Sequence, residues 1–241
     1  MRMYSFYNHM YHPRHYGDPV EEYWQLLNGV TLWDVGVERQ VEITGPDAFA
    51  LANMLVPRDL NKCAVGQCKY VFITGPDGGI LNDPVLLRVA EDEFWLSLAD
   101  SDVNLYALGI AGAKGMDVTV QEIDVAPVQI QGPNAKKVLT ELFGERVLEI
   151  PYYGLTKGEL DGMDVVRRLL LVVGLHGSSL GRILLLCCLL GHKKAPRGRG
   201  AAASTGAASA RLGKEQGPGH VTRLADDGHR IVDRMRAQGQ R

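Results

Sequence analysis

The sequence predicts an α+β domain with a mainly antiparallel sheet and helices packed against it. Short stretches of alternating polar and apolar residues, typical of strands with one buried face, dominate the first 166 residues. Few helical patterns lie between these stretches, whereas a doubly wound parallel sheet needs a helix at each crossover. A strand followed by Gly-Pro and a helix occurs at 40–55 and recurs at 128–142, which indicates two related halves.

The first predicted helix begins after Asp18. This residue supplies an N-cap carboxylate, and Pro19 suits the first helical position because its missing N–H would be unpaired there in any case. Apolar residues then recur at helical spacing until Gly29, which predicts the end of the helix.

Two short strands are predicted next, at 32–37 and 40–44. In the second strand Val41 and Ile43 flank Glu42, and side chains alternate between the two faces of a strand. We therefore expect this strand to bury one face and expose the other.

The repeated Gly-Pro dipeptides each connect a predicted strand to a helix. Gly45 with Pro46, and Gly132 with Pro133, are expected to serve as the N-cap and first residue of the two helices.

The chain between the two copies is rich in predicted strands. They lie at 70–74, 80–89, 94–99 and 118–123, with a tight turn at 75–79 and a helix at 102–111.

Composition divides the chain near residue 166. The net charge of -2 conceals an acidic part, 1–166, with 12 Lys+Arg and 24 Asp+Glu, and a basic part, 167–241, with 14 and 4. All 17 aromatic residues lie in the acidic part. The near-neutral total argues against a general nucleic-acid-binding protein. Four cysteines and no apolar signal segment at 1–17 predict a protein of the reducing cytoplasm.

The residue pattern indicates Asp83 as a candidate functional residue. In the predicted strand 80–89 it shares a face with Leu81 and Val85, so it is expected to point into an apolar environment. A carboxylate there must be paired, hydrogen-bonded or protonated, which is typical of functional sites. The alternatives are that Asp83 caps backbone N–H groups, or that Pro84 kinks the strand and turns the carboxylate outward.

The three histidines His9, His12 and His15 are spaced like a metal-binding set, yet Pro13 breaks the helix that would align them. A structural or surface role is therefore predicted for them, and no metal site.

Three further motifs are assigned no ligand. Cys63 and Cys68 lack the second Cys/His pair of a zinc site. The glycine-rich turn 75–79 has the pattern of neither a P-loop nor a dinucleotide-binding motif. The Tyr-Tyr-Gly sequence at 152–154 is interpreted as local packing rather than as a ring-stacking site.

An ordered set of motifs resembles the folate-binding aminomethyltransferases, the T-protein of the glycine cleavage system and its relatives. The motifs are Trp-Asp-Val at 33–35, Glu-Ile-Thr-Gly-Pro-Asp-Ala at 42–48, Gly-Gly-Ile-Leu-Asn-Asp at 78–83 and Val-Gln-Ile-Gln-Gly-Pro-Asn-Ala at 128–135. Tyr-Asn-His-Met at 7–10 and Val-Glu-Arg-Gln-Val-Glu-Ile at 37–43 look more like the branch that contains dimethylsulfoniopropionate demethylase.

The resemblance implies a tetrahydrofolate-dependent transfer of a methyl or aminomethyl group. An Asp-Asp pair follows the Gly-Gly turn in T-proteins, and one of its carboxylates lies by the pterin nitrogens. The pair reads Asn82-Asp83 here, so the catalytic and folate-binding role is carried to Asp83, with Asn82 beside it and Tyr70 as a further folate-pocket residue. The implied partner is a small-molecule one-carbon donor, with neither nucleic acid nor membrane, and an H-protein-type partner is implied only for a true T-protein.

The resemblance ends near residue 166. The family continues there with a segment like Arg-Thr-Gly-Tyr-Thr-Gly-Glu, whereas this chain reads Arg-Arg-Leu-Leu-Leu at 167–171. Residues 1–166 are therefore predicted to be a truncated folate-binding domain, and 167–241 a basic tail that is disordered or translated out of frame. A membrane span at 169–190 is a weaker alternative because Arg182 and several polar residues interrupt it.

Three functions remain open at this point. The chain is a one-carbon transferase, a non-catalytic folate-binding protein, or an inactive fragment of the family.

Overall fold

The computed structural model describes residues 3–98, 102–160, 163–172 and 183–191, the last two ranges chiefly as backbone. The helices are α1 (Pro19–Asn28), α2 (Ala48–Leu55), α3 (Val103–Lys114) and α4 (Ala135–Phe143). The strands are β1 (Tyr4–Tyr7), β2 (Met10–Pro13), β3 (Thr31–Asp34), β4 (Gln40–Thr44), β5 (Cys68–Tyr70), β6 (Ile73–Thr74), β7 (Ile80–Asn82), β8 (Val85–Ala90), β9 (Glu93–Ser97), β10 (Thr119–Glu122), β11 (Val125–Gln131), β12 (Leu155–Leu160), β13 (Met163–Val172) and β14 (Ile183–Gly191).

Two five-stranded sheets carry the fold. The first sheet has the order β10-β4-β9-β8-β5 and the second the order β12-β13-β14-β11-β3, while β1-β2 and β6-β7 form separate two-stranded ribbons. Within the described strands every neighbouring pair is antiparallel. The predicted α+β class with a mainly antiparallel sheet is confirmed.

The two sheets repeat one arrangement. Reversing the second order gives β3-β11-β14-β13-β12, in which each strand has a counterpart in β10-β4-β9-β8-β5. Helix α2 follows β4 as α4 follows β11, and α3 precedes β10 as α1 precedes β3. The start of the chain, α1 and β3, thus completes the second sheet rather than the first.

The repeated glycines mark equivalent close contacts in the two halves. Gly45 has φ +122° and Gly132 has φ +126°. A Cβ on Gly45 would lie 2.7 Å from the carbonyl oxygen of Asp117, and one on Gly132 would lie 2.5 Å from that of Gly29. Both positions therefore require glycine because the backbone approach leaves no room for a side chain.

The prediction that these glycines cap the helices is wrong. The N-cap residues are Asp47 for α2 and Asn134 for α4, and neither side chain makes a capping hydrogen bond. The carbonyls of Gly45 and Gly132 instead accept a hydrogen bond from the N–H of the first helical residue, each at 3.0 Å. Each Gly-Pro dipeptide forms a turn before its helix because the glycine lies against the backbone of another segment, Asp117 for Gly45 and Gly29 for Gly132.

The first helix agrees with its prediction. Asp18 Oδ1 accepts hydrogen bonds from the N–H groups of Val20 at 2.8 Å and Glu21 at 3.1 Å, and the helix ends before Gly29. The strand after it is shorter than predicted. Asp34 Oδ1 accepts a hydrogen bond from the N–H of Gly36 at 3.0 Å, and this turn ends the strand.

Strand β4 is buried on both faces, which corrects the predicted exposure of one face. Val41 and Ile43 pack in a core with α2 and α3 on the outer side of the first sheet. Glu42 is only 4% exposed on the inner side. Its carboxylate accepts hydrogen bonds from Trp95 Nε1 at 3.1 Å and Gln121 Nε2 at 2.7 Å, which offset the cost of burying the charge.

The sheet continues past residue 166. Strand β13 runs to Val172 and pairs with both β12 and β14. The described parts of 169–190 are strands, and no helix in the described ranges is long and apolar enough to cross a membrane. The stretch 193–241, which includes most of the predicted tail, lies outside the described residues. The out-of-frame origin of the tail stays a prediction, and translation of the other two reading frames tests it.

Candidate functional site

Pro84 divides the strand that was predicted as continuous over 80–89. The structure has β7 before Asp83 and β8 after Pro84, so the prediction of one long strand is wrong. Proline cannot donate to the strand ladder and restricts the residue before it, which accounts for the break. The kink that was considered for Pro84 is therefore what the structure contains.

A matching break occurs in the neighbouring segment. Tyr70 ends β5 opposite Val85, whereas Ile73 pairs with Asn82 in the separate ribbon. Between these pairs the N–H of Val71 donates to the Pro84 carbonyl oxygen at 3.1 Å. The two segments therefore bend together, and at this corner the side chains of Tyr70 and Phe72 are exposed.

The bend brings Tyr70 and Asp83 together. The Tyr70 hydroxyl donates a hydrogen bond to Asp83 Oδ2 at 2.5 Å, while Oδ1 accepts none from the described residues. Asp83 is half-buried rather than enclosed on an apolar face. The expected orientation of Asp83 into an apolar environment is corrected in this respect. The alternation of faces was counted along one continuous strand, but the strand is interrupted at Asp83 and Pro84.

The other two residues at the corner differ in exposure. Asn82 is 3% exposed, so the amide of the Asn82-Asp83 pair is the buried member. Phe72 is 40% exposed and Tyr70 is 42% exposed, and their rings meet edge to face with centroids 5.5 Å apart. The corner thus combines a carboxylate with an open acceptor oxygen and two accessible aromatic rings.

Sequence reasoning missed Phe72. Its signal is the i, i+2 spacing from Tyr70, which places two aromatic side chains on one face of an extended segment. The interpretation of 70–74 as one strand concealed the bend that exposes both rings.

The hydrogen bond to Asp83 raises the pKa of Tyr70 above that of a free phenol. The carboxylate accepts the phenolic proton, so ionisation both breaks this bond and places two negative charges side by side. We expect Asp83→Asn to lower the Tyr70 pKa towards its ordinary value. Titration by NMR of ring-labelled tyrosine measures it, since the chain has nine tyrosines and absorbance alone does not resolve one.

The same titration of Asp77→Asn is the control, because among the described residues Asp77 accepts a side-chain hydrogen bond from the Gly79 N–H in the nearby turn and none from Tyr70. A Tyr70 pKa that is unchanged in Asp83→Asn would contradict the hydrogen bond.

The three histidines make separate contacts. His9 Nε2 lies 4.0 Å from Asp102 Oδ2, His12 Nδ1 lies 3.3 Å from the Pro13 carbonyl oxygen, and His15 Nδ1 lies 2.8 Å from that of Gly17. Among the residues with described side chains, no three His, Cys, Asp or Glu residues are grouped to hold a metal ion.

Cys63 and Cys68, for which no ligand is predicted, pack in different hydrophobic clusters. Cys63 packs in the outer core, the cluster that contains α2, α3, Val41 and Ile43. Cys68 packs in the inner core, a separate cluster that contains Leu87 and Trp95. Neither cysteine forms a disulfide within the described residues, and burial raises the pKa of the Cys63 thiol.

The fold is that of a T-protein. The structure resembles that of glycine cleavage system aminomethyltransferase T from Bartonella henselae with a TM-score of 0.61 at 20% identity, over 77% of this chain and 49% of that one. The sequence profile of the GCVT N-terminal domain matches residues 2–169. The chain therefore belongs to the GCVT N-terminal domain family.

Curated relatives lie in two activity classes. The chain is 42% identical to dimethylsulfoniopropionate demethylase of Ruegeria pomeroyi over 163 residues, which cover 68% of this chain and 45% of that protein. It is 28% identical to an aminomethyltransferase of Desulfitobacterium hafniense over 154 residues, covering 63% of this chain and 42% of that protein. The chain thus spans less than half the length of these relatives.

Proposed function

We propose that this chain binds tetrahydrofolate and acts in the transfer of a one-carbon group to it. The observation that carries the proposal is the corner formed by Tyr70 and Asp83, where one carboxylate oxygen accepts no hydrogen bond from any described residue and two rings are accessible. Membership of the GCVT N-terminal domain family supports the same assignment.

The residues at the corner suit a flat heterocycle that carries N–H donors. A carboxylate accepts two parallel N–H hydrogen bonds well, and Asp83 retains Oδ1 for this purpose. The rings of Tyr70 and Phe72 offer apolar surface to a planar ligand, and the neighbouring Asn82 side chain is buried.

Asp83 is the proposed catalytic residue because its charge is fixed beside the ligand. Bound tetrahydrofolate supplies the nitrogen that accepts the one-carbon unit. The Asp83 carboxylate orients the ring and stabilises positive charge that develops on it, while the Tyr70 hydroxyl holds Oδ2 in place.

The donor is proposed to be a small molecule. The similarity to a dimethylsulfoniopropionate demethylase favours a sulfonium methyl donor over an aminomethyl donor carried by an H-protein-type partner. Transfer of a sulfonium methyl to the N–H nitrogen breaks the C–S bond and releases a neutral thioether, so the leaving group needs no proton and the proton displaced from the nitrogen passes to water, whereas loss of an amine requires a proton. Asn82 in place of the first acid of the pair agrees with this choice because an amide, unlike a carboxylic acid, does not transfer a proton to a leaving group.

A second candidate is folate binding without transfer. It is favoured by the same Asn82, which leaves the corner with a single carboxylate. Tetrahydrofolate binding without turnover of a sulfonium or aminomethyl donor supports this alternative.

Isothermal titration of the whole chain with tetrahydrofolate tests the proposal. We expect saturable binding of one ligand per chain, followed by formation of methyltetrahydrofolate when dimethylsulfoniopropionate is added. Absence of binding at millimolar ligand contradicts the proposed function and favours an inactive fragment.

A further inference from the structure

Tyr153 has a backbone conformation that its side chain disfavours. Its φ is +57°, and among the described residues only Asn8 and His9 share a positive φ without being glycine. A left-handed conformation suits glycine or asparagine and strains a bulky aromatic residue. Strain of this kind persists where surrounding contacts impose it, and it is concentrated at functional sites.

Backbone hydrogen bonds pin Tyr153 to the strand that carries Tyr70. The Tyr153 carbonyl oxygen accepts from the N–H of Cys68 at 2.6 Å, and the N–H of Leu155 donates to the Gly66 carbonyl oxygen at 2.8 Å. The turn before β12 in the second half is thereby attached to the start of β5 in the first.

The side chain of Tyr153 lies on the face of the sheet that carries the candidate site. It packs against the inner core with Cys68, Leu87 and Trp95. Cys68 and Tyr70 are two residues apart on β5, so their side chains share that face. The side chains of Tyr153 and Tyr70 therefore lie on the same face of the sheet.

The electrostatics agree with this placement. The Tyr70 pKa is raised first by the hydrogen bond to Asp83, and the nearby phenol of Tyr153 adds to the effect. Tyr152 braces the Tyr153 ring edge to face with centroids 4.7 Å apart, while itself being 61% exposed.

We infer that Tyr153 is a ligand-contacting residue through which the second half of the domain lines the Tyr70–Asp83 site. This inference rests on the proposed function. A turn that served packing alone would favour glycine or asparagine at this φ, whereas a ring on the same face as Tyr70 offers a further aromatic surface to the planar part of tetrahydrofolate.

Two matched variants test the inference by titration with tetrahydrofolate. Tyr153→Asn removes the ring but keeps a residue that tolerates the left-handed backbone, and we expect its Kd to rise about tenfold. Tyr11→Asn removes a ring on β2 that is 79% exposed and packs edge to face with Phe6, and we expect its Kd to stay within about twofold of the original.

A second measurement keeps the test independent of how Tyr153→Asn folds. In the unmodified chain with ring-labelled tyrosine, the Tyr153 signal is assigned by its loss in Tyr153→Phe. We expect this signal to shift when tetrahydrofolate saturates the protein, and the signal of Tyr11 on β2 to stay in place.

The outcomes separate this inference from the proposed function. An unchanged Kd in folded Tyr153→Asn, or a Tyr153 signal that does not move at saturation, overturns the inference alone if the unmodified chain binds and Asp83→Asn binds weakly. An unmodified chain with no affinity for tetrahydrofolate overturns both.

Discussion

Asp83→Asn is expected to raise the Kd for tetrahydrofolate about 100-fold. Each hydrogen bond to a charged acceptor contributes about 1.5–3 kcal/mol, and two N–H donors of a bound heterocycle can share this carboxylate. A loss of about 3 kcal/mol corresponds to roughly two orders of magnitude in Kd. The asparagine amide also directs its own N–H groups at a ligand that donates. Isothermal titration of the whole chain measures the change.

Asp77→Asn is the matched control for this substitution. Asp77 lies in the glycine-rich turn near Asp83, and its Oδ1 accepts from the Gly79 N–H at 3.0 Å, a bond that an asparagine oxygen keeps. We expect its Kd to stay within about twofold of the original. Equal affinities in Asp83→Asn and Asp77→Asn would remove Asp83 from the site.

Gly132→Ala is expected to lower the free energy of unfolding by about 4 kcal/mol. The new Cβ would lie 2.5 Å from the Gly29 carbonyl oxygen and 3.0 Å from Val30 Cα, and both are backbone atoms that cannot rotate away. Strain at φ +126° adds to the overpacking. Denaturant unfolding followed by circular dichroism measures the loss.

Gly109→Ala in α3 is the control, because its Cβ meets nothing within 4 Å. Alanine is the better helix former by about 1 kcal/mol, so this variant should be more stable than the original. If both alanine variants unfold at the same denaturant concentration, the close approach at Gly132 is not what the structure indicates.

The helices and the duplication could be predicted from local signals in the sequence. The cap at Asp18 and the two Gly-Pro dipeptides act within a few residues, so α1, α2 and α4 were placed close to their observed bounds. The role of Gly45 was not accessible in the same way, because the carbonyl that excludes its side chain belongs to Asp117.

The errors at the strands have a common physical origin. The alternation of polar and apolar residues separates the two faces of a strand but does not show what packs on each face. The burial of Glu42 could not be predicted because its partners, Trp95 and Gln121, belong to neighbouring strands. The sequence indicated a break at Pro84 as one alternative. The hydrogen bond that Asp83 makes after this break depends on the position of Tyr70, which the sequence does not show.

The candidate site was therefore only partly predictable. The strand pattern and the family resemblance both indicated Asp83, whereas Asn82 and Tyr70 came from the resemblance alone. The structure has the Tyr70 hydroxyl on Asp83, with Asn82 next to it in the chain. Their proposed roles await the titrations. Phe72 and Tyr153 depend on a bend and on a contact between halves, which no single segment of sequence displays.

The completion of the second sheet by the start of the chain has a consequence for synthesis on the ribosome. Strand β3 must find β11, and the Thr31 hydroxyl donates to the Gln131 carbonyl oxygen across 100 residues of sequence. The pairs of the first sheet, by contrast, all lie within 40–122. The nascent chain can therefore complete the first sheet while β3 still lacks β11, the strand with which it pairs. A pause in translation after residue 122 would lengthen the interval in which the edge of β3 has no partner strand.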